Sequence, residues 1–345
     1  MSDLHIHFRF MAPLLMDIRT RLPAEALAKD PRLTVTTGVD LNLSSLPADQ
    51  PKLIVTQRAG PKDEEAWLQS TANMIRRGWL SVLEFDDHPE AAMAVTGEAM
   101  TDQAWRHYGH FHAIQTSTPR LAKVFAPHNP EVAVFANAVF DLPPLPKRSG
   151  AARVFYGSID RGRIAVDTAA ALGAFTAAHP EVHFVVVRDR AVFEALPTAN
   201  KSFHQLLGFE AYLALLRTCD ICLTPLEVSQ GALCKSDAKF LDAAAQGVVA
   251  VASPPVYGDT IVEGETGFIA HATSDWAPLL TRLVEEPALR ERVAAQAWAY
   301  VRDERLFSAQ VDARVAWYQH LWDSRHALTR QLFERSPRLK QILFG

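Results

Sequence analysis

The chain has 345 residues and a formal net charge of −4, with 48% hydrophobic and 21% charged residues. This length exceeds one typical core and suits two domains of about 150 to 200 residues, in the composition range of soluble globular proteins. The charge gives no reason to expect nucleic acid as a partner, and no apolar run approaches the ~20 residues that cross a bilayer.

The amino-terminal segment MSDLHIHFRFMAPLL predicts a first β-strand and a loop. An acid precedes its apolar part and it lacks a clear small-residue cleavage site, which is unlike a signal peptide. Three cysteines, an odd number in a large chain, indicate a reducing compartment, so we expect a cytoplasmic protein. Cys219 and Cys222 form a C-x-x-C motif, but no second ligand pair at zinc spacing accompanies them. They are predicted to be small buried residues.

Short apolar runs alternate with helical stretches along the first half. The predicted strands are LHIHFRF, LTVTTG, KLIVTQR, LSVLEF, FHAIQTS and VAVFAN, with helices around residues 64–77 and 119–124. This alternation indicates βαβ units and parallel sheets. Residues 141–150 then bring three prolines, two basic residues and a glycine, which is the composition of a linker.

The second half repeats the pattern and predicts a further doubly wound α/β unit. Its strands are ARVFYGS, VHFVVVRD, DICLTPL and VVAVAS, and its helices are DTAAALGAFTAAH, EAYLALLRT and KSDAKFLDAAAQG. Two such units have a natural ligand cleft between them, at the carboxyl ends of the strands. No G-x-G-x-x-G and no P-loop occurs, which argues against nicotinamide and ATP chemistry.

The chain is predicted to be helical from about Ala294. Apolar residues recur there at helical spacing, so the tail is expected to pack back on the N-terminal domain as a closing helix. From Trp322 onward it carries two acids and five basic residues: Arg325, Arg330, Arg335, Arg338 and Lys340. These are either the solvated side of a packed helix or a means of attraction to an anionic membrane surface.

Residues 224–253 carry the strongest indication of function. A strand ends at Pro225, a loop with Gly231 follows, and a helix is predicted to begin near Ser236, a good N-cap residue. A helix start offers free N–H groups and partial positive charge, which suit a diphosphate. Lys235 and Lys239 lie about one turn apart and could reach one anion, and Asp242 could accept hydrogen bonds from ribose. The alternative is a capped amphipathic helix with solvated lysines.

Together with VVAVASPPVYGDTIVEGETGFIA, this segment resembles the donor half of the retaining family 4 glycosyltransferases (glycosyl transferases group 1), which have the GT-B fold. The match is to the variant in which a Lys-Ser pair precedes K-F-x-E/D-A-A-A-x-G. The resemblance implies an α/β protein of two Rossmann-like doubly wound domains with an interdomain cleft. It also implies that the carboxylate of Asp242 holds the ribose of a nucleotide sugar.

The chain departs from the family where the first of two glutamates is usual, because that position is Cys234. Glu227 could replace it, or this branch could use Lys235 and Ser236. The resemblance assigns residues 1–142 to an acceptor domain, 143–150 to a linker, 151–310 to a nucleotide-sugar donor domain and 311–345 to a helical tail.

Further site residues come from the ends of other predicted strands. Gly157 and Ser158 resemble the family loop that approaches the donor, a glycine there allowing close approach of backbone to a ligand. Either Arg161 or Arg163 could pair with the diphosphate, or both could belong to a solvated turn.

Three polar residues follow the strand LSVLE of the first half. Asp86, Asp87 and His88 could orient an acceptor hydroxyl or take its proton. The alternative is that the aspartates cap the next helix. Nearby, Arg21 resembles a family opening in which an arginine precedes a proline-started helix. The candidates for stabilising the departing diphosphate are Lys235, Lys239 and one of Arg161 or Arg163.

The implied activity is transfer of a hexose-type sugar from a nucleoside diphosphate sugar to a hydroxyl acceptor, with retention. The acceptor would be a glycan, a lipid-linked glycan or a protein, in polysaccharide, glycolipid or glycoprotein assembly. No permanently bound cofactor and no metal is expected, and the histidines are predicted to pack at a cleft wall: His5, His7, His107, His110 and His112. Two alternatives stay open, namely a non-catalytic GT-B binding or scaffolding module and a nucleotide-sugar epimerase. The expected location is the cytoplasm, with possible peripheral contact at the inner face of the membrane.

Overall fold

The computed structural model describes residues 4–11, 17–60, 63–95, 97–158 and 161–345. The chain forms two compact units. Unit 1 comprises Met1–Asn137 and Phe307–Gly345, and unit 2 comprises Ala138–Leu306. The loop predicted after the first strand falls partly on residues 12–16, which lie outside the described residues, as do residues 159 and 160 of the segment before Arg161.

Unit 1 contains a parallel sheet of six strands: β1 (Leu4–Arg9), β2 (Leu33–Gly38), β3 (Lys52–Gln57), β4 (Leu80–Glu84), β5 (Ala113–Thr116) and β6 (Val132–Val134). The strand order is β2-β1-β3-β4-β5-β6. β3 and β4 are buried along their whole length, as expected for strands covered on both faces. The order reverses between β1 and β3, and ligands of open α/β sheets bind outside the carboxyl ends at such a switch point.

Five helices accompany this sheet before the chain leaves the unit: α1 (Leu22–Leu27), α2 (Glu64–Arg76), α3 (Pro89–Ala94), α4 (Asp102–Arg106) and α5 (Pro119–Phe125). Three of them have a side-chain N-cap. Asp63, Thr101 and Thr118 each accept a hydrogen bond from a backbone N–H three residues later. Such a cap satisfies one of the free N–H groups at a helix start, which explains where these helices begin.

Unit 2 contains a second parallel sheet of six strands: β7 (Arg153–Tyr156), β8 (His183–Val187), β9 (Lys201–His204), β10 (Ile221–Thr224), β11 (Val249–Ala252) and β12 (Phe268–Ile269). Its order is β12-β11-β10-β7-β8-β9. Counted from β7, this is the order of Rossmann domains, 3-2-1-4-5-6. The switch point therefore lies between β7 and β10.

The helices of unit 2 are α6 (Arg163–Ala170), α7 (Gly173–Ala178), α8 (Arg190–Ala195), α9 (Phe209–Leu216), α10 (Gln230–Leu233), α11 (Ala238–Ala245), α12 (Pro254–Tyr257), α13 (Trp276–Glu285) and α14 (Pro287–Glu304). They build two apolar cores that share the sheet. Cys219 and Cys222 are buried free thiols in one of these cores, which confirms their prediction as buried residues. Burial raises the pKa of Cys222 to about 12.

Both ends of unit 2 meet beside the sheet. Val139 and Leu306 form a parallel β-bridge, and the N–H of Val139 donates to the carbonyl of Arg305 at 2.8 Å. The residues between Val139 and β7 form no helix or strand, as predicted for the linker.

Three further helices follow in unit 1: α15 (Val311–Asp323), α16 (Arg325–Arg335) and α17 (Pro337–Phe344). α16 and α17 bury Leu332 and Leu339 against Leu68 and Ala72 of α2. Three of the basic tail residues bond within the unit, and Arg325 donates to the carbonyl of Trp322. Arg335 donates to the carbonyls of Gly109 and Phe111, and Arg338 to the carboxylate of Glu65. None of the described helices combines the length and apolarity needed to cross a membrane.

Three element predictions need correction. The helix predicted over residues 167–179 is two helices, α6 and α7, separated at residues 171 and 172. The helix predicted over residues 235–247 begins at Ala238. Strands β9 and β12 were not predicted, because β9 is a half-buried edge strand without an apolar run and β12 has only two residues.

The five histidines of unit 1 that were predicted to pack at a cleft wall lie buried and bond to the chain itself. His5 and His7 share the hydroxyl of Thr36, whereas His107 bonds to the carbonyl of Ala59. The remaining two bond to side chains of unit 1, His110 to Ser336 and Glu64 and His112 to Ser81. No group of three or more metal-ligating side chains occurs within the described residues.

Burial lowers the pKa of His7 and His107 to about 4 and that of His112 to about 3. These groups stay neutral in the fold while the unfolded chain, with a pKa near 6.5, takes up protons. Stability that is present above pH 6.5 is therefore lost as the pH falls towards 4, by up to about 1.4 kcal/mol per pH unit for each histidine.

We expect His112→Asn to make this pH dependence shallower. An asparagine oxygen can replace Nδ1 as the acceptor of the Ser81 N–H, but it does not titrate. Urea unfolding between pH 7.5 and 5 measures the slope, and His320→Asn on the exposed side of α15 is the control. An unchanged slope in His112→Asn would show that this histidine does not contribute.

Candidate functional site

The switch point of unit 2 gathers charged side chains around one tyrosine. Tyr212 of α9 is buried, and the Nζ of Lys239 lies 4.1 Å from the centre of its ring. The same Nζ lies 3.5 Å from Oδ2 of Asp242, one turn further along α11. Lys239 is thus placed between an aromatic face and a carboxylate, both of which attract a cation.

Burial raises the pKa of Asp242, and Lys239 opposes this shift by its charge and its hydrogen bond. The charge of this carboxylate also acts on two tyrosine hydroxyls. Burial raises the pKa of Tyr212 well above its usual value and that of Tyr257 to about 12, and Asp242 adds to both shifts. The positive charge of Arg161 acts on both hydroxyls in the opposite direction. These five side chains form one electrostatically coupled group, which we call the Tyr212 cluster.

Several buried polar atoms at this edge of the sheet have no hydrogen-bond partner in the described part of the chain. They are Oγ of Ser158, Nε and Nη1 of Arg161, and the hydroxyl of Tyr212. Buried polar atoms are nearly always satisfied, and each unsatisfied one costs about 1 to 3 kcal/mol. The four atoms at this edge are therefore able to bond to a polar ligand.

The structure gives a further reason for a glycine at position 157. A Cβ there would lie 2.3 Å from Cε1 of Phe155 and 2.7 Å from Cε2 of Tyr212. The glycine therefore allows two aromatic rings, whose centres are 5.5 Å apart, to pack against the main chain. Its position after β7 agrees with the prediction, but its close neighbours are side chains of the protein.

The loop between β10 and α11 also differs from the prediction. Gly231 lies inside the short helix α10, and the N-cap of α11 is Asp237 in place of Ser236. The carboxylate of Asp237 makes no capping bond, because it accepts from Thr260 and from Arg305 instead. Arg305 binds it in bidentate fashion, Nη1 to Oδ2 at 2.6 Å and Nη2 to Oδ1 at 3.0 Å.

The other predicted residues of unit 2 divide into two groups. Lys235 and Ser236 form the half-buried turn before α11, and exposed Glu227 has a carboxylate oxygen 3.8 Å from where a Cβ on Gly162 would lie. The structure does not bring Arg163 into the Tyr212 cluster. Its side chain is 88% exposed and pairs with Asp167 of the same helix at 3.3 Å.

Cys234, in the position of the family's first glutamate, is buried at the end of α10. It therefore presents no carboxylate to a sugar.

In unit 1, Asp86 and Asp87 meet the same guanidinium. β4 ends at Glu84, so both aspartates lie beyond the strand, and Arg58 bonds to Asp86 at 2.5 Å and lies 3.7 Å from Asp87. Neither aspartate is the N-cap residue of the next helix. The N-cap of α3 is His88, without a side-chain capping bond, and the N–H of His88 donates to Asp87.

Burial disfavours the charge on Asp86, but Arg58 and Arg19 hold its pKa below the usual value. A general base works best with a pKa raised towards neutrality, so Asp86 suits ion pairing better than proton transfer. Arg58 has a φ of 44°, in the left-handed region that non-glycine residues rarely adopt. Its strained backbone lies at the end of β3, beside the switch point of unit 1.

Arg19 of unit 1 was not singled out by the sequence. Arg19 is buried and donates to Glu84 at 2.7 Å and 3.2 Å, and to the carbonyl of Phe135 and Oδ1 of Asn137. The network extends further from Glu84. The amide of Gln115 donates to Glu84, and the hydroxyl of Tyr318 donates to Oε1 of Gln115.

Arg21, which the sequence singled out, bonds to Asp17 and Glu25 instead. The sequence pattern does not distinguish Arg19 from Arg21, because both lie in one short π-helix, Asp17–Arg21.

No family model matches the chain, and no curated protein matches it in sequence. Solved structures do share its fold. HepE from Anabaena in complex with UDP-glucose aligns with a TM-score of 0.62 and 13% identity, over 91% of this chain and 98% of HepE. A glycosyltransferase from Rickettsia africae aligns with a TM-score of 0.61 and 10% identity, over 93% of this chain and 98% of that one. The fold is GT-B.

A longer GT-B protein gives a similar alignment. A mutant of S. aureus TarM, in complex with fondaparinux, alpha-GlcNAc-glycerol and UDP, aligns with a TM-score of 0.60 and 12% identity over 79% of this chain. The alignment covers 56% of TarM, so the chain spans little more than half of that protein's length. At identities this low, the structural alignments establish the fold of the chain and nothing beyond it.

We expect Arg305→Ala to destabilise unit 2 by about 3 kcal/mol, because it leaves the carboxylate of Asp237 buried without its charged partner. Arg302→Ala is the matched control, since Arg302 and Asp303 form an exposed pair, and such a loss changes stability by less than about 0.5 kcal/mol. Urea unfolding followed by circular dichroism measures both. Equal losses in the two variants would contradict a structural role for the Asp237–Arg305 pair.

Proposed function

We propose that the protein is a glycosyltransferase that moves a hexose-type sugar from a nucleoside diphosphate sugar to a hydroxyl acceptor with retention. The observation that carries the proposal is the set of unsatisfied polar atoms on Ser158, Arg161 and Tyr212, beside the Lys239–Asp242 pair. It lies at the switch point of a Rossmann-type sheet, where nucleotides bind in related folds. UDP is present in the structures of TarM and HepE, which supports a uridine nucleotide as donor.

The contacts of Lys239 suggest how the donor is held. In the structure its ammonium is shared by Asp242 and the ring of Tyr212. A diphosphate would compete for Lys239 and for the unsatisfied N–H groups of Arg161. Asp242 would then lose its cationic partner and accept hydrogen bonds from the ribose hydroxyls. Binding of the two halves of the nucleotide would be coupled through one lysine.

The chemical task is to stabilise the negative charge that develops on the departing diphosphate. Arg161, Lys235 and Lys239 supply positive charge in unit 2, and the start of α11 supplies oriented N–H groups. The acceptor is proposed to bind in unit 1, where Asp87 and His88 follow β4. Asp86 holds Arg58 in place in this proposal. Retention, and a role in polysaccharide, glycolipid or glycoprotein assembly, rest on the family resemblance.

Thermal-shift and calorimetric measurements with UDP, GDP, ADP, CDP and their sugars test donor binding. We expect one nucleotide to bind, and Asp242→Asn to weaken it about tenfold, since a charged hydrogen bond contributes about 1.5 to 3 kcal/mol. Asp167→Asn, which removes an exposed carboxylate from α6, is the control. Absence of binding by every nucleotide would overturn the proposed function.

Lys235→Ala is expected to lower sugar transfer at least tenfold, because one positive charge near the leaving group is lost. Lys147→Ala removes an exposed positive charge from the linker and should leave transfer unchanged. Mass spectrometry of the products follows the reaction. Nucleotide binding without transfer or donor hydrolysis in the unmodified protein would favour a binding module, and a free epimer would favour an epimerase.

A further inference from the structure

A shallow cavity opens on the surface of unit 1. It is lined by Asp102, Trp105, Arg106 and His128, and its volume is about 320 Å³. Small-molecule sites have volumes of about 300 to 1,000 Å³, so this cavity has room for a ligand of the size of one sugar ring. Three of its residues belong to α4, and His128 lies in the turn after α5.

Two aromatic rings form much of the cavity wall. Trp105 and His128 are stacked, with ring centres 4.8 Å apart and planes within 11°. In a stacked pair the inner faces cover each other, so only the outer faces, which are flat and carry partial negative charge, can meet a ligand. The C–H groups on one face of a pyranose carry partial positive charge and are complementary to such a surface.

Polar groups surround the rings. No side-chain hydrogen bond of Trp105 or His128 occurs among the described residues, so the indole N–H and the imidazole nitrogens remain available. The carboxylate of Asp102 is exposed, and Arg106 reaches Glu64 only at 3.8 Å. Hydrogen-bond donors and acceptors therefore both lie beside a flat apolar wall. Sugar hydroxyls require this mixture, since each both donates and accepts.

The cavity adjoins the residues proposed to bind the acceptor. The ring of His88 meets the edge of Trp105, with centres 6.4 Å apart and planes at 83°. His88 directly follows Asp86 and Asp87, which are held by Arg58. The ring of Trp105 thus packs against the buried His88 of the segment after β4.

We propose that this cavity, the Trp105 subsite, binds a pyranose ring of the acceptor, so that the acceptor is itself a glycan or glycoside. This inference rests on the proposed function, because the bound sugar is an acceptor only if the protein is a transferase. A nucleobase could also stack on Trp105, but the groups suited to a diphosphate and a ribose lie in unit 2, around Tyr212. A sugar is the ligand that this surface of unit 1 fits.

Binding can be measured without a donor on the full chain with ¹⁵N-labelled tryptophan. The chain has seven tryptophans, so seven indole signals are expected, and Trp105→Phe assigns one of them. The probes are the methyl α-glycosides of glucose, galactose, mannose and N-acetylglucosamine, up to about 100 mM, which covers affinities weaker than millimolar. We expect at least one glycoside to shift the Trp105 signal saturably. The signal of Trp322, on α15 of the same unit, should not move.

Two conservative variants test the polar rim without altering the core. Asp102→Asn combined with Arg106→Gln, both at exposed side chains, should weaken glycoside binding about tenfold, through the loss of two charged hydrogen-bonding groups. Arg330→Gln, an exposed change on α16, should not weaken it. If Trp105→Phe does not fold, loss of the saturable shift in the double variant identifies the same signal.

The subsite is overturned if none of the four glycosides shifts the Trp105 signal, or if uridine shifts it and the glycosides do not. Its failure is distinguishable from failure of the proposed function. Nucleotide binding to unit 2 with no glycoside effect removes the subsite alone. A glycoside effect with no nucleotide binding leaves a sugar-binding cavity and removes the transferase.

Discussion

The contact between the ring of Tyr212 and the main chain at Gly157 determines the geometry of the candidate donor site. Any side chain at Gly157 would collide with this ring and with Phe155. With the ring in place, Lys239 stacks on its face and Asp242 holds the same ammonium. A single missing Cβ thus allows one aromatic residue to organise the charges at the switch point.

Each unit handles buried charge differently. In unit 1 the guanidinium of Arg19 donates to Glu84, Phe135 and Asn137, and neither its Nε nor its Nη1 lacks a partner. In unit 2 the guanidinium of Arg161 has two buried nitrogens without a partner in the described chain. Arg19 therefore supports the fold, whereas Arg161 keeps two N–H groups for the ligand that we propose.

Much of the fold follows from local sequence patterns, because buried parallel strands are near-continuous apolar runs. KLIVTQR and LSVLEF became β3 and β4 within one or two residues. The contact between Lys239 and Asp242 also follows from helical spacing, since residues three apart lie on the same side of a helix. Tyr212 was not identified, because its helix has the pattern of an ordinary packed helix, and its role depends on a glycine 55 positions earlier. Arg58 ends a predicted strand next to that of Asp86, and the shared edge of parallel strands could have indicated their pairing.

The bridge between Val139 and Leu306 makes unit 2 an insertion whose two ends lie side by side. A segment with adjacent ends can be cut out of a gene without leaving long loose termini. The groups of the Tyr212 cluster all belong to this segment, and so does the Arg305 that holds Asp237. Residues 138–306 thus form a natural unit for exchange between proteins, and the proposed donor site would be inherited with them.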